Sequence, residues 1–178
     1  TGQDPRRFVD DLPEPLREPI QRFAPGTLQF EIGIQTFDAD VQKAIDRRQD
    51  NDLALANLRW LREHTEAHLH VDLIAGLPGE SLESIGAGYD RLYAARPHEI
   101  QLGLLKRLRG APIIRHQLSG DLVFEAEPPY RVRQTRALPA DDVIAFEHLA
   151  HFHDRVVNGG RLPGLATAVL EQPGRRDD

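Results

Sequence analysis

Three stretches of the chain alternate between apolar and polar positions. In TLQFEIGIQTF, Phe30, Ile32 and Ile34 fall on one side, and Glu31, Gly33 and Gln35 on the other. In HLHVDLIAGLPGE, Leu69, Val71 and Leu73 oppose His68, His70 and Asp72; in EIQLGLLK, Ile100, Leu102 and Leu104 oppose Glu99, Gln101 and Gly103. A period of two predicts strands. Between them the period lengthens. Asp38 predicts the N-cap of a helix carrying Val41, Ala44 and Ile45, and a second helical run follows Asp50–Asp52 with Ala54, Leu58 and Leu61 four and three residues apart. A third is expected from about Ser81 to Ala95, with Ile85, Tyr89 and Leu92 on one face and Pro97 ending it. Strand, helix, strand, helix, strand at this spacing predicts βα units, a parallel sheet and right-handed crossovers.

Strands buried on both faces read as continuous apolar runs, and these do not. Their apolar faces must meet the helices, so the polar faces point elsewhere: to water on an open two-layer sheet, or into a wide or incomplete (β/α) barrel holding a polar ligand. The pattern favours the barrel. Sites in such barrels lie at the C-terminal ends of the strands, which here are Gln35, Asp72 with the turn through Gly76, Pro78 and Gly79, and Leu105–Lys106. LRGAPI then turns the chain, and a short helix is expected to reach Leu118. Beyond Ser119 the texture changes. Pro128–Pro129 predicts irregular or short-strand structure. Asp141 or Asp142 predicts the cap of a helix running to about Asn158, with Val143, Phe146, Ala150 and Val157 on one stripe and Gly159–Gly160 as its stop. RLPGLATAVLEQ predicts a last short helix.

Composition narrows the classes. The 178 residues are 40% hydrophobic and 28% charged, with a net charge of −6, which reads as a soluble globular domain. Basic pairs such as Arg6–Arg7 and Arg47–Arg48 are scattered, so nucleic acid is not the favoured partner. No apolar run approaches the roughly 18–20 residues of a membrane span, and a cytoplasmic location is expected. There is no Cys, hence no disulfide, thiolate metal site or Cys nucleophile. There is no Met either, so a fragment or processed product is expected.

EIGIQTFDADVQKAIDRRQD, HVDLIAGLPGES and IQLGLLKRLRGAPI together resemble the second half of the radical S-adenosylmethionine (SAM) barrel, in the group where a cobalamin-binding domain precedes the barrel. PPYRVRQTRAL, the helix after it and NGGRLP look like a C-terminal domain of unknown function carried by some of those proteins. The resemblance covers about residues 26–165. It implies an α/β fold, the C-terminal half of a partial (β/α) TIM-like barrel with a small, mainly helical appendage. The implied organisation is an irregular Pro-rich lead-in over 1–26, barrel over 27–118, family-specific domain over 119–172 and disordered tail over 173–178.

The resemblance also implies roles. Gln35 looks like the residue that contacts SAM, Arg47 the one that reaches its carboxylate, and Asp72 the carboxylate that accepts from the ribose hydroxyls. Ile74 and Gly76 would line the adenine site, and backbone groups of Leu105 and Lys106 would read the adenine edge. Glu31, His70 and Gln101 are candidate cavity or substrate contacts. The family's [4Fe–4S] cluster hangs on three cysteines of a CxxxCxxC motif, which this chain lacks; the motif and a glycine-glycine-glutamate segment that holds the SAM amino group are expected upstream. The implied cofactors are thus SAM, a cluster ligated outside this chain and possibly cobalamin. The implied activity is reductive SAM cleavage to a 5′-deoxyadenosyl radical for hydrogen abstraction, or methyl transfer through cobalamin. The implied partners are a small-molecule or unknown substrate and an electron donor such as flavodoxin or ferredoxin.

Simpler readings stand beside these. Arg47 and Arg48 can form a solvated helix-end pair, and Glu80 and Ser81 can serve only the first turn of their helix. His148, His151 and His153 read as a solvated helix face rather than a metal site. A non-catalytic α/β module binding a nucleotide or partner is the second reading, an inactivated relative another. A metal-dependent hydrolase on His68, His70 and Asp72 is a third class.

Overall fold

The computed structural model describes residues 12–109, 113, 115, 116 and 119–160. Short helix α1 (Glu14–Gln21) leads into β1 (Gln29–Gln35), α2 (Ala39–Ala44), α3 (Asn51–His64), β2 (His68–Ala75), α4 (Leu82–Ala94) and β3 (Glu99–Leu104). The three strands form one parallel sheet in the order β1-β2-β3. The caps follow the sequence: Asp38 accepts from the backbone N–H of Asp40 and Val41, Asp50 from Asp52 and Leu53, and Ser81 from Ser84. Each satisfies helix donors that have no intrahelical partner.

The alternation decides the layering. Ile32, Ile34, Leu69, Val71, Leu73 and Ile100 are buried against Leu55, Leu58, Leu61 and Leu92 of the helices. The opposite face carries Glu31, His70, Asp72 and Gln101, none of them fully buried. The lead-in is therefore not wholly irregular. Pro15 lies in the first turn of α1, where its missing N–H costs nothing, and Arg17 sets α1 on α3 by lying 4.7 Å over the Trp60 ring.

After β3 the chain folds back as an antiparallel hairpin, β4 (Leu122–Phe124) and β5 (Val132–Thr135), and then as α5 (Ala140–His153), continued by a π-helical turn, Asp154–Asn158. The peptide between Pro128 and Pro129 is cis. Ala75, Ile85, Leu138, Val143 and Phe146 form a second cluster that fixes α5 beside the sheet. Asn158 donates to the Ile100 carbonyl (2.9 Å) and accepts from the Ile100 N–H (3.2 Å), so one side-chain amide takes the place of a neighbouring strand.

Three expectations for this helix are corrected. Its N-cap is Pro139, whose side chain offers no acceptor; Asp141 and Asp142 lie inside the first turn. Its buried stripe passes through His153, which lies seven residues after Phe146 on the same helical face, and then through Val156, because the π turn that follows rotates the tail and leaves Val157 only half-buried. His153 is thus 4% exposed and packs edge-on against Tyr89 at 5.4 Å, whereas His148 and His151 are exposed as expected. The predicted last helix and the tail lie outside the described residues, as does most of the turn toward Leu118.

Gly76 binds the two parts together. Its φ is +85°, and a Cβ there would lie 2.4 Å from Cγ1 of Val132. Gly76→Ala is expected to destabilise the protein by about 2 kcal/mol or more through backbone strain and overlap. Val132→Ala added to it should restore the steric part only. Chemical denaturation of the two single variants and the double variant checks this, and simple additivity would contradict the contact.

Candidate active site at the strand ends

β1 leaves its ladder through a bulge: Gly33 pairs with Asp72, but Gln35 pairs with Leu73. Gln35 sits at φ +69°, and the Thr36 N–H donates to the Ile34 carbonyl at 2.9 Å, closing a tight turn around it. The Gln35 side chain folds back over Gly33, where a Cβ would stand 2.2 Å from its amide nitrogen. A larger residue at position 33 would force the end of the Gln35 side chain to move.

Arg47 does not share the solvated helix end with Arg48. Its Nη2 donates to the Gly33 carbonyl, and Nε and Nη2 donate to Gln49 Oε1 at 3.1 and 3.0 Å. Gly33 is in register with Asp72, so Arg47 holds the β1 carbonyl of the residue opposite Asp72. Burial raises the Asp72 pKa, opposed by His70 and assisted by Glu31. Asp72 Oδ1 is buried and receives no hydrogen bond; His70 Nε2 lies 3.2 Å away, off line. This orphaned acceptor is what a ligand hydroxyl would satisfy.

Below Asp72 the polar face is a linked row. His70 Nδ1 meets Glu99 Oε2 at 3.1 Å and Nε2 meets Gln101 Oε1 at 2.9 Å. Acceptors on both sides call for a doubly protonated ring. Burial depresses the His70 pKa, but Gln101, Asp72 and Glu99 together outweigh it and leave it raised. His68 takes the other oxygen of Glu99 at 3.1 Å. Glu31 is exposed in register with His70, and Gln101 is exposed in register with Asp72. A cleft of about 260 Å³ runs from His70 and Gln101 to His151, Asp154 and Asn158. Among the described residues no three His, Asp or Glu side chains converge to hold a metal ion.

The adenine-side expectations separate. Ile74 lies over Gly103, in register with it and on the same face as Asp72; a Cβ at Gly103 would come within 3.1 Å of Ile74 Cδ1. The space beside Gly76 is taken by Val132, so its smallness serves the hairpin contact. Leu105 gives its N–H to the Ala75 carbonyl (2.9 Å), and its carbonyl accepts from Val132 (2.8 Å). Lys106 faces Arg131 in an antiparallel bridge whose bonds run through Leu105 and Arg107, so the Lys106 N–H and C=O point away from that segment. The Lys106 side chain is exposed.

One pair was not legible in the sequence. The Thr36 hydroxyl donates to Glu80 across the two rim loops, and these residues are 1% and 3% exposed. Glu80 is therefore a buried tie between the loops, not a first-turn helper. Its other oxygen, Oε2, has no partner. Burial, with Asp38 adding, pushes its pKa up to about 7, against the Thr36 hydrogen bond.

Comparison with known proteins bears on these strand ends. Residues 7–92 match the family model of the radical SAM superfamily. The oxygen-independent coproporphyrinogen III oxidase of Escherichia coli (strain K12) is 30% identical over 99 residues, covering 56% of this chain and 20% of that protein. Anaerobic coproporphyrinogen III oxidase 1 of Cereibacter sphaeroides is 35% identical over 77 residues, covering 43% and 17%. This chain thus spans about a fifth of the length of the curated relatives it matches. A solved structure of the Escherichia coli coproporphyrinogen III oxidase, described as a radical SAM enzyme, superposes with a TM-score of 0.52 at 21% identity, over 86% of this chain and 30% of that one. That likeness supports the partial-barrel architecture.

Glu80 sets a pH dependence of stability. Its pKa is raised from 4.5 in the unfolded chain to about 7. The folded state therefore holds a proton that the unfolded state has lost between those values, and stability falls as pH rises through that window. Glu80→Gln should remove this slope and leave the protein more stable above pH 7, by on the order of 1–3 kcal/mol. Melting curves of both proteins from pH 5 to 8 check it, and parallel curves would contradict it.

Proposed function

We propose that this chain supplies the SAM-holding strand ends of a radical SAM enzyme. The observation that supports it best is the pairing of Gly33 with Asp72. Arg47 holds the β1 carbonyl in register with Asp72, whose buried Oδ1 makes no hydrogen bond of good geometry and faces His70 Nε2 at 3.2 Å. In this reading Arg47 takes the amino-acid carboxylate of SAM through a charge-assisted hydrogen bond. Asp72 accepts from the ribose hydroxyls, and Gln35, held over Gly33, contacts the sulfonium side. Ile74 gives the adenine an apolar wall. Lys106 offers its outward backbone groups to the adenine edge, with Leu105 beside it, while Gly76 holds the Val132 contact that closes the rim. Glu31, His70 and Gln101 line the polar face on the substrate side.

The SAM contacts fit the residues present. The cluster does not: with no Cys in the sequence, its ligands belong to another part of the protein, and the residues of this chain take no part in holding it. SAM, bound to such a cluster, supplies radical chemistry; these residues bind and orient it and exclude water. We read the intact protein as an enzyme on this basis, acting on a small-molecule substrate with electrons from a donor such as flavodoxin or ferredoxin. The relatives' names point to a coproporphyrinogen-like oxidation. A cobalamin domain with methyl transfer rests on the sequence resemblance alone. The division between barrel and C-terminal domain near 118/119 also belongs to this reading. The hairpin's seat on Gly76 fits a C-terminal unit that helps shape the site.

Asp72→Ala in the intact protein should weaken SAM binding roughly tenfold or more, from lost charge-assisted hydrogen bonds. Equilibrium binding measures it. Unchanged affinity would contradict the assignment.

A further inference from the structure

Arg47 sits at the end of a relay of side-chain amides. Gln49 Oε1 receives both Nε and Nη2 of Arg47. Gln49 Nε2 donates to Asn51 Oδ1 at 3.0 Å, and Gln42 Nε2 donates to the same oxygen at 2.8 Å. Asn51 Nδ2 donates to the Phe37 carbonyl at 2.8 Å, and Gln42 Nε2 also donates to the Thr36 carbonyl at 2.9 Å. The orientation of every amide is forced. A guanidinium only donates, so Gln49 must present its oxygen to it and its NH2 to Asn51. Backbone carbonyls only accept, so Asn51 must turn its NH2 to Phe37 and Gln42 its NH2 to Thr36. No amide can flip without setting like groups against each other. Gln42 is buried and Gln49 and Asn51 are half-buried, which strengthens the relay.

We propose that Gln49 and Asn51 are positioning residues for the ligand carboxylate: the relay locks the plane of the Arg47 guanidinium at the mouth of the sheet. This rests on the SAM reading of Arg47. Without the relay a long arginine side chain would lose rotamer freedom on binding, and carboxylate recognition would weaken. The adenosine end of the ligand, held on β2 and β3, would not sense the change.

The test compares two probes in the intact protein. One is SAM; the other is 5′-methylthioadenosine, the neutral thioether left when the sulfonium of SAM loses its whole amino-acid arm. Asn51→Ala and, separately, Gln49→Ala should each weaken SAM binding roughly three- to tenfold while methylthioadenosine affinity stays unchanged, which also shows that the fold persists. Each should be non-additive with Arg47→Ala, since all act through one group. Equal loss for both probes, or full additivity with Arg47→Ala, would overturn the relay. If Arg47→Ala itself lowers both affinities equally or neither, the SAM reading beneath it fails instead, and the relay with it.

Discussion

A parallel strand has two faces, and in this protein the crossover helices cover only one of them. Everything at the site depends on that constraint. Leu69, Val71 and Leu73 are buried under the helices, so His68, His70 and Asp72 must face the other way. A buried polar group without a partner is costly, and the chain answers by linking these side chains to one another: Glu99 lies between two imidazoles, and Gln101 takes the free nitrogen of His70. The linkage stops at Asp72. There a buried oxygen faces His70 Nε2 at 3.2 Å without a well-formed hydrogen bond, and Arg47 holds the carbonyl of the β1 residue in register with it.

The rim is built from irregularities in regular elements. A bulge and a left-handed residue release Gln35 from β1, and a left-handed glycine releases the chain after β2. Each exit is then tied down by polar side chains, Thr36 to Glu80 on one side and the amides of Gln42, Gln49 and Asn51 on the other. The hairpin after β3 adds a third tie where Val132 fills the space at Gly76. Site geometry therefore depends on contacts between loops as much as on the sheet.

Local features were readable in the sequence. The alternation set strand faces, and Asp38, Asp50 and Ser81 capped the helices they precede, because these effects operate within four residues. The candidate strand-end residues followed from those faces, with roles supplied by family resemblance. What escaped was non-local or depended on a changed period. Glu80 looked like an ordinary first-turn acid because Thr36 is 44 residues away. His153 looked like part of a solvated face with His148 and His151, although it lies seven residues after Phe146 and shares its buried side; the π turn moved only the end of the stripe, from Val157 to Val156. Val132 as a neighbour of Gly76 was not visible either, because it lies on the hairpin beyond β3.

A crystal structure of the intact protein with S-adenosylhomocysteine, which cannot be reductively cleaved as a sulfonium, tests the central claim most directly. The account predicts ribose hydroxyls within hydrogen-bond distance of Asp72 Oδ1, the amino-acid carboxylate on Arg47 and adenine beside Ile74. A nucleoside bound elsewhere, with Asp72 and Arg47 left uncontacted, would contradict it.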